Sequence, residues 1–224
     1  MQPNEHREAY ASPAMREVLV TLAASGILDG WFLTGGTALS VFYLGHRTSE
    51  GLDFFSLTGK GLSEIALRLR TIGFAEVTQT VSSTTFARFV VNGVKLDFVH
   101  DPLSLDVLRD LVHLEQNAAL TVDTISNIFS NKLAASVSRS EAKDFVDLYF
   151  LAGEFADISM DSMIVDAAAK EAMFDDTAAA AYQMERNLNL VRRSVGPGLL
   201  KQVNDGEFTE FFKQLVARLY AKQE

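Results

Sequence analysis

Residues 30–56 constrain the fold of this 224-residue chain more than any other stretch. They read GWFLTGGTALSVFYLGHRTSEGLDFFS, in which glycines separate the apolar runs. This pattern predicts a strand at 31–33, a glycine turn, a helix at 38–44 and a second strand at 52–55. The second strand carries one carboxylate, Asp53, which is costly to place in a half-buried strand unless it is needed there. The stretch therefore predicts an α/β unit with an acid beside a glycine turn.

The glycine turn suits a phosphate ligand. Gly35 and Gly36 let the main chain approach a ligand closely, and the free N–H groups of a helix beginning near Thr37 would point into the turn. Asp53 on the next strand is a suitable ligand for the Mg²⁺ that accompanies a triphosphate. The alternative is a tight strand-to-helix turn in which Thr37 is a plain N-cap.

Composition limits the classes of protein to which the chain can belong. With 48% hydrophobic residues the chain can bury a core as one large domain or two small ones. A net charge of -9 argues against indiscriminate nucleic-acid binding. The absence of cysteine excludes disulfides and thiolate metal sites. The polar start MQPNEHREAY and the lack of a long apolar run lead us to expect a soluble, cytoplasmic protein that does not bind membranes.

A hairpin is predicted further along the chain. Two β-rich runs at 85–91 and 94–99 are joined by Asn92-Gly93, a pair that suits a type I′ turn. A two-residue loop fixes the register and gives the hairpin one apolar face. The other face holds Arg88, Val90, Lys95 and Asp97. On the residues alone, Arg88 and Asp97 are interpreted as a cross-strand ion pair.

The remaining segments are mostly helical. We predict a loose lead-in at 1–12 and a helix that starts at Ser12-Pro13 and covers the sheet. We also predict a short helix and turn at 103–114 and helices from about 122 to the end. Asp123 is a candidate N-cap, and the basic doublet Arg192-Arg193 is interpreted as a solvated pair, with an RNA contact as the alternative. The predicted domains are an α/β domain at 1–115 and a helical domain at 116–224.

The segments GGTAL, HRTS and LDFF, in this order and spacing, resemble the AbiEii/AbiGii toxin family, a branch of the DNA polymerase β-like nucleotidyltransferases. The resemblance implies an α/β (α+β) fold, with a mixed sheet and flanking helices followed by a mostly helical C-terminal region. It also implies Mg²⁺-dependent transfer of a nucleotide from an NTP to an acceptor, for which the end of a tRNA is one candidate. The context would be a toxin–antitoxin or phage-defence system with an antitoxin protein as partner.

The resemblance assigns roles to particular residues. VKLDFV resembles the family strand that carries a further acid, and Lys132-Leu133-x-Ala and Lys143-Asp144-x-x-Asp147 resemble its helical motifs. The implied catalytic residues are Asp53, Asp97, Lys132 and Asp144, of which Asp53 and Asp97 hold metal. The implied nucleotide-binding residues are Gly35, Gly36, Thr37, His46, Arg47, Ser49 and Arg139. The alternatives are structural: a lysine that snorkels to water, an aspartate that caps a helix, and a histidine that holds a turn.

One position departs from the family pattern. The family strand usually carries two acids one residue apart, and here the first of them is Gly51. Glu50 cannot simply replace it, because alternate residues of a strand point to opposite faces. Two-metal transfer needs several acids. The alternative function is therefore an impaired nucleotidyltransferase fold that binds nucleotide, RNA or protein; an introduced change at Gly51 is a third interpretation.

Overall fold

The computed structural model describes residues 2–115, 117–191 and 198–222. The chain divides into two compact units, Met1–Thr124 and Ile125–Glu224. Within the described ranges, no helix is both long enough and apolar enough to cross a bilayer. The interpretation of Arg192 and Arg193 falls outside the described residues.

The first unit is built on a seven-stranded mixed sheet with the strand order β3-β4-β5-β2-β1-β7-β6. The strands are β1 (Phe32–Thr34), β2 (Gly51–Ser56), β3 (Val77–Ser82), β4 (Phe86–Val91), β5 (Val94–His100), β6 (Asp110–His113) and β7 (Ala119–Val122). The helices are α1 (Pro13–Ala24), a short turn α2 (Gly35–Thr37) that continues as a π-helix (Ala38–Leu44), and α3 (Ile65–Thr71). The predicted fold class, a mixed sheet with flanking helices, is confirmed.

The hairpin has the predicted register. β4 and β5 pair antiparallel with Arg88 opposite Asp97, and the turn residues Asn92 and Gly93 both have positive φ, 47° and 79°, as a type I′ turn requires. Burial alternates along β4 and along β2. One face of these strands therefore belongs to the core and the other is partly open to solvent.

Aromatic side chains fill the covered face of the sheet. Phe54 of β2 and Phe98 of β5 are fully buried and stack with their ring centroids 5.1 Å apart. Trp31 meets Phe98 edge-on at 5.2 Å. Helix α1 packs against β5 and β7, and Ser12 caps it by accepting from the N–H of Met15 at 3.3 Å. The predicted helix start and its role as a cover are confirmed.

The prediction of a loose lead-in at 1–12 is wrong. The N–H groups of Asn4 and His6 donate to the carbonyls of Phe42 and Val41 at 2.8 and 2.7 Å. These carbonyls belong to the last residues of the π-helix, where helical carbonyls lack a partner within the helix. The N-terminal segment therefore completes the hydrogen bonding of the helix end.

The prediction of a helix and turn at 103–114 is also wrong. This segment ends in β6, an edge strand that pairs antiparallel with β7 through Leu111 and Thr121. Because β7 pairs in turn with β1 through Val122 and Leu33, both strands extend the sheet. The predicted domain boundary at 115 falls before β7.

The second unit is helical. Its helices are α4 (Ile125–Ser138), α5 (Ala142–Glu154), α6 (Met160–Ala168), α7 (Thr177–Val191) and α8 (Asp205–Ala221). Its core includes Phe145 of α5, whose ring centroid lies 5.3 Å from that of Phe212 in α8. Both side chains are fully buried. Their packing joins α5 and α8, which lie far apart in the sequence, and the predicted helical character of this region is confirmed.

Candidate active site

Asp53 and Asp97 are neighbours in the sheet. β2 and β5 run parallel, and their register makes Asp53 the direct partner of Asp97. On the other side of β2, Thr34 of β1 is the partner of Asp53. Neighbouring strands lie about 4.8 Å apart, and directly paired residues place their side chains on the same face of the sheet. The fold therefore brings the two predicted acids together.

The glycine turn lies directly against Asp53. Gly35 has a φ of +67°, and a Cβ added to it would lie 2.9 Å from Asp53 Oδ2. A larger residue would meet both a strained backbone conformation and this carboxylate oxygen. The main chain can therefore pass this close to the acid only because residue 35 is glycine.

Gly36 makes room for an arginine. A Cβ at Gly36 would lie 2.5 Å from Arg47 Nη2 and 3.4 Å from Ser49 Oγ. Arg47 is 8% exposed and donates from Nη1 to the carbonyl of Thr48 at 2.9 Å. The guanidinium is therefore held close against the glycine turn, where its charge would favour an anion.

Thr37 holds the turn rather than capping its helix. The helix begins at Gly35 with Thr34 at the N-cap position, so the alternative in which Thr37 is the N-cap is wrong. The Thr37 hydroxyl is buried, lies 2.8 Å from Ser49 Oγ and donates to the carbonyl of Gly51. Thr37 thereby fixes the chain that leads into β2. His46 is also fully buried in this segment.

Asp97 carries an ion pair. Arg88 donates to both of its carboxylate oxygens, Nε to Oδ1 at 2.7 Å and Nη2 to Oδ2 at 2.8 Å. The Lys95 ammonium lies 3.5 Å from Oδ2. The pKa of Arg88 is raised by its hydrogen bonds to Asp97, and the charges of Asp97 and Asp53 add to the effect. The expected cross-strand ion pair between Arg88 and Asp97 is therefore present.

The residue that departs from the family pattern lies beside Lys95. Gly51 is the direct partner of Lys95 between β2 and β5. A Cβ at Gly51 would lie 3.0 Å from Lys95 Cε and 3.4 Å from the Lys95 carbonyl. A lysine side chain therefore crosses the strand at the position where the family pattern has its first acid.

The acids fit one magnesium ion better than two. Mg²⁺ in nucleotide sites is bound through one or two carboxylates together with substrate phosphates, and the paired Asp53 and Asp97 suit an ion that arrives with the nucleotide. A two-ion centre needs further acids. Across residues 2–115, 117–191 and 198–222, no group of three or more His, Cys, Asp or Glu side chains is arranged to hold a metal ion.

A second cluster of candidate residues lies within the helical unit. Lys132 Nζ of α4 lies 2.7 Å from Asp144 Oδ1 and 2.7 Å from Asp147 Oδ2 of α5. Both carboxylates are fully buried. Arg139 also donates to Asp144, from Nε at 2.7 Å and from Nη2 at 3.1 Å. The fold thus brings together the predicted Lys132, Arg139 and Asp144, with Asp147 as a fourth member.

Two cations control the ionisation of Asp144. Burial alone would raise its pKa, but the charge of Lys132 and the hydrogen bonds and charge of Arg139 outweigh burial and lower the pKa. Asp144 is therefore ionised at neutral pH, and the cluster is a network of buried ion pairs.

The match to known families covers nearly the whole chain. The family described as "Nucleotidyl transferase AbiEii toxin, Type IV TA system" matches residues 17–221. The chain belongs to the AbiEii toxin family. This AbiEii member is also 30% identical over 138 residues to the uncharacterized protein aq_aa25 of Aquifex aeolicus strain VF5. The match covers 61% of the present chain and 64% of that protein, which is less than two thirds of its length.

Solved structures share the fold of this AbiEii chain. JHP933 from Helicobacter pylori aligns with a TM-score of 0.59 at 17% identity, over 98% of this chain and 96% of that chain. MenT4, the nucleotidyltransferase toxin Rv2826c from Mycobacterium tuberculosis H37Rv, aligns with a TM-score of 0.56 at 17% identity, over 96% of this chain and 86% of that chain. These likenesses extend over both units and confirm a nucleotidyltransferase-like fold.

Sequence reasoning missed one buried network of this AbiEii protein. Asp123 is fully buried and accepts from Thr34 Oγ1 at 2.6 Å and from Arg109 Nε at 2.9 Å. Arg109 also lies over the Phe32 ring, with Cζ 3.7 Å from the centroid. Asp123 also accepts from the N–H of Thr124 at 3.0 Å. The network fixes Thr34, the strand partner of Asp53.

Proposed function

We propose that the chain is a Mg²⁺-dependent nucleotidyltransferase that transfers a nucleotide from an NTP to an acceptor hydroxyl, with the end of a tRNA as the first acceptor to test. The observation that carries this proposal is the direct pairing of Asp53 with Asp97 beside the close approach of Gly35. Two carboxylates and a close main chain at one point of a sheet suit a metal-bound triphosphate.

In this proposal, different residues of the sheet unit bind phosphate, hold the glycine turn and bind the metal ion. The main chain at Gly35 and Gly36 binds phosphate, and Arg47 adds positive charge beneath it. Thr37 and Ser49 hold the turn in place through their hydroxyls, and the buried His46 supports the same segment. Mg²⁺, held by Asp53 and Asp97, would supply charge stabilisation at the phosphates.

The bond changes follow from the reaction class. The acceptor hydroxyl oxygen bonds to the α-phosphorus of the NTP, the bond from that phosphorus to the bridging oxygen breaks, and pyrophosphate leaves. The hydroxyl proton passes to solvent or to a carboxylate. Catalysis therefore rests on positioning and on neutralising the charge of the phosphates.

The residues of the helical unit form a second requirement. We propose that Lys132 and Asp144 are needed for transfer and that Arg139 contributes to nucleotide binding. Their mutual ion pairs hold each side chain in one orientation, as a charged residue needs if it is to act at a defined point. Loss of transfer in Lys132→Met, with the helical unit still folded by circular dichroism, would support this requirement.

A second candidate function is a nucleotide-, RNA- or protein-binding module without turnover. Gly51 supplies no carboxylate, and both oxygens of Asp97 already accept from Arg88. A metal ion would then have to share Asp97 with a guanidinium. This candidate predicts NTP binding without release of pyrophosphate.

The deciding experiment measures Mg²⁺-dependent pyrophosphate release from each of the four NTPs with total tRNA, for the chain and for Gly51→Asp. Activity in both proteins supports the enzyme and shows that an acid at position 51 is dispensable. Activity in Gly51→Asp alone identifies a transferase disabled at this position. If neither protein releases pyrophosphate and both still bind NTP, the binding module is favoured.

The biological role is tested separately. The family name places its members in type IV toxin–antitoxin systems, and we propose that this chain inhibits growth, in phage defence or otherwise, and has a cognate antitoxin. Induced expression should slow growth of a bacterial host, and Asp53→Asn should relieve the inhibition. Equal inhibition by both proteins would contradict a role that depends on transfer.

A further inference from the structure

We propose that Lys95 and Arg88 form a binding site for the β- and γ-phosphates of the nucleotide, and that this site works without a metal ion. The inference rests on the proposed function, because it names the groups that hold the leaving pyrophosphate at that same site. Lys95 would thus supply positive charge where the family pattern has an acid that binds metal.

The charges of Lys95 and its neighbours balance one another, so they do not repel a polyanion. Arg88, Lys95, Asp97 and Asp53 lie on one face of three neighbouring strands, because the registers pair Arg88 with Asp97 and Asp97 with Asp53. Their two positive and two negative charges cancel. An acid at position 51 would leave the group negative, and a triphosphate would then need metal ions to approach it. With Gly51 that repulsion is removed.

Lys95 is free to reach a ligand. Its side chain is 46% exposed, whereas that of Asp97 is 9% exposed. The distance of 3.5 Å from Lys95 Nζ to Asp97 Oδ2 is long for a hydrogen bond, so the contact holds the ammonium near the site without saturating its three donors. Gly51 allows this placement, since its missing Cβ leaves room for Lys95 Cε.

Asp97 fixes the Arg88 guanidinium on the same face of the sheet as Lys95. Two of its five N–H groups, one on Nε and one on Nη2, go to Asp97, and three remain for phosphate oxygens. The side chain is 38% exposed, and its Cζ lies 5.2 Å from the centre of the Phe86 ring. A guanidinium fixed by a carboxylate loses little freedom when it binds an anion, which favours affinity.

The test uses inorganic pyrophosphate and isothermal titration calorimetry on the full chain in EDTA. The chain should bind pyrophosphate, and Lys95→Gln should bind it at least about tenfold more weakly, as expected for a lost charged hydrogen bond. The matched control is Arg70→Gln, which removes one charge from the exposed side of α3 and should change the affinity less than about twofold. Absence of binding by the unaltered chain, or unchanged affinity in Lys95→Gln, overturns the proposal.

Two further arms identify the ligand and the role of Gly51. AMP has no β- or γ-phosphate, so its affinity should be the same in the chain and in Lys95→Gln; an equal loss for AMP would overturn the assignment to the diphosphate. Gly51→Asp should weaken pyrophosphate binding in EDTA, because the new carboxylate pairs with Lys95 and repels the anion. Gly51→Asn crowds Lys95 to the same extent without adding a charge, so it should lose less affinity than Gly51→Asp; equal affinity in the Asp and Asn variants contradicts the proposal.

The outcomes separate this inference from the proposed function. Lys95 is half exposed, so Lys95→Gln should unfold at the same temperature as the unaltered chain. If Lys95→Gln binds pyrophosphate more weakly than the unaltered chain, and the unaltered chain transfers no nucleotide, the phosphate site is supported and the enzyme is rejected. If the unaltered chain transfers nucleotide, and Lys95→Gln binds pyrophosphate as tightly as the unaltered chain, the enzyme is supported and the phosphate site is rejected.

Discussion

Asp53 is the side chain on which the proposed chemistry depends most directly. It is paired with Asp97 and Thr34 on the two sides of β2, and its Oδ2 lies against Gly35. We expect Asp53→Asn to lower the rate of pyrophosphate release at least about 100-fold, because an amide is a much weaker metal ligand than a carboxylate and preorganised charge is the main catalytic term.

The control for Asp53 is Glu50→Gln. Glu50 is exposed and immediately precedes β2. Strand alternation directs its side chain to the face opposite that of Asp53, so Glu50→Gln removes the same charge without altering the site. The rate should stay within about twofold of the unaltered chain, since an exposed charge is screened by salt. Full activity of the Asp53 variant would reject the metal assignment.

Gly36 gives a prediction about stability. The Cβ of Gly36→Ala would lie 2.5 Å from Arg47 Nη2, so the buried guanidinium must move, and overpacking of this kind costs about 1–3 kcal/mol. We expect a lower free energy of unfolding in urea and weaker NTP binding. The control is Gly153→Ala in α5, where nothing lies within 4 Å of the new Cβ and the change should stabilise the helix by about 0.5–1 kcal/mol.

At the residue scale, the sequence reveals contacts that local patterns encode. Arg88 and Asp97 could be placed together because strand alternation and a two-residue turn fix which side chains share a face, whereas only the family resemblance placed Asp53 beside Asp97. The pairing of Arg109 with Asp123 at 2.9 Å could not, because it depends on the antiparallel register of β6 and β7, and no motif spans those positions. The contact of Lys95 with Gly51 was hidden for the same reason, since it needs the parallel register of β2 and β5.

At the level of elements, buried ion pairs of Lys132 with Asp144 and Asp147 join α4 to α5. The folded-state pKa of Asp144 is lowered, below an unfolded value of about 3.9. Its ionised form therefore stabilises the fold above about pH 4, and this contribution is lost as the pH falls through the folded pKa. We expect the free energy of unfolding to fall below pH 4 with a slope that Asp144→Asn reduces, by at most about 1.4 kcal/mol per pH unit.

Urea unfolding curves between pH 3 and 7 measure this slope. The matched control is Asp161→Asn in α6, whose exposed carboxylate pairs with Lys222 at 3.1 Å. Because exposed pairs contribute little, this variant should follow the pH profile of the unaltered chain. Identical profiles for Asp144→Asn and the unaltered chain would contradict a role of Asp144 in the stability of the helical unit.

Elements with strong local signals could be predicted, and weak ones could not. The hairpin of β4 and β5 has long β-rich runs and an Asn-Gly turn, and its register agrees with the structure. β6 has four residues of alternating exposure at the sheet edge, too few to outweigh the helical spacing of the leucines before it. The π-helix Ala38–Leu44 has the same apolar pattern as an α-helix, so its wider turn leaves no signal in the sequence.

For the whole molecule, the sheet predicts where the first unit can end. β7 pairs with β1 at Val122, and Asp123 binds Thr34 and Arg109. We expect a fragment of residues 1–124 to unfold cooperatively in urea, and a fragment of 1–115 to lack a cooperative transition because β1 has lost one of its two neighbours, β7. Equal cooperativity in both fragments would favour the boundary at 115 that the sequence predicts.

The overall class of the molecule was accessible from the sequence because three short segments occur in one order and spacing. They sit on the glycine turn, the loop before β2 and β2 itself, where both backbone and side chains are constrained. The helical unit has no comparable signal outside Lys132, Asp144 and Asp147, because apolar helical patterns specify packing and say little about chemistry.

The contact between Gly51 and Lys95 has a consequence for the evolution of the family. An acid at position 51 and a lysine at position 95 would neutralise each other, so the two positions should change together. Relatives with aspartate at the first position should lack a basic residue at the second, and relatives with glycine should keep one. A family alignment would then separate into two lineages, and the residue facing position 51 would show which lineage a newly found member has joined.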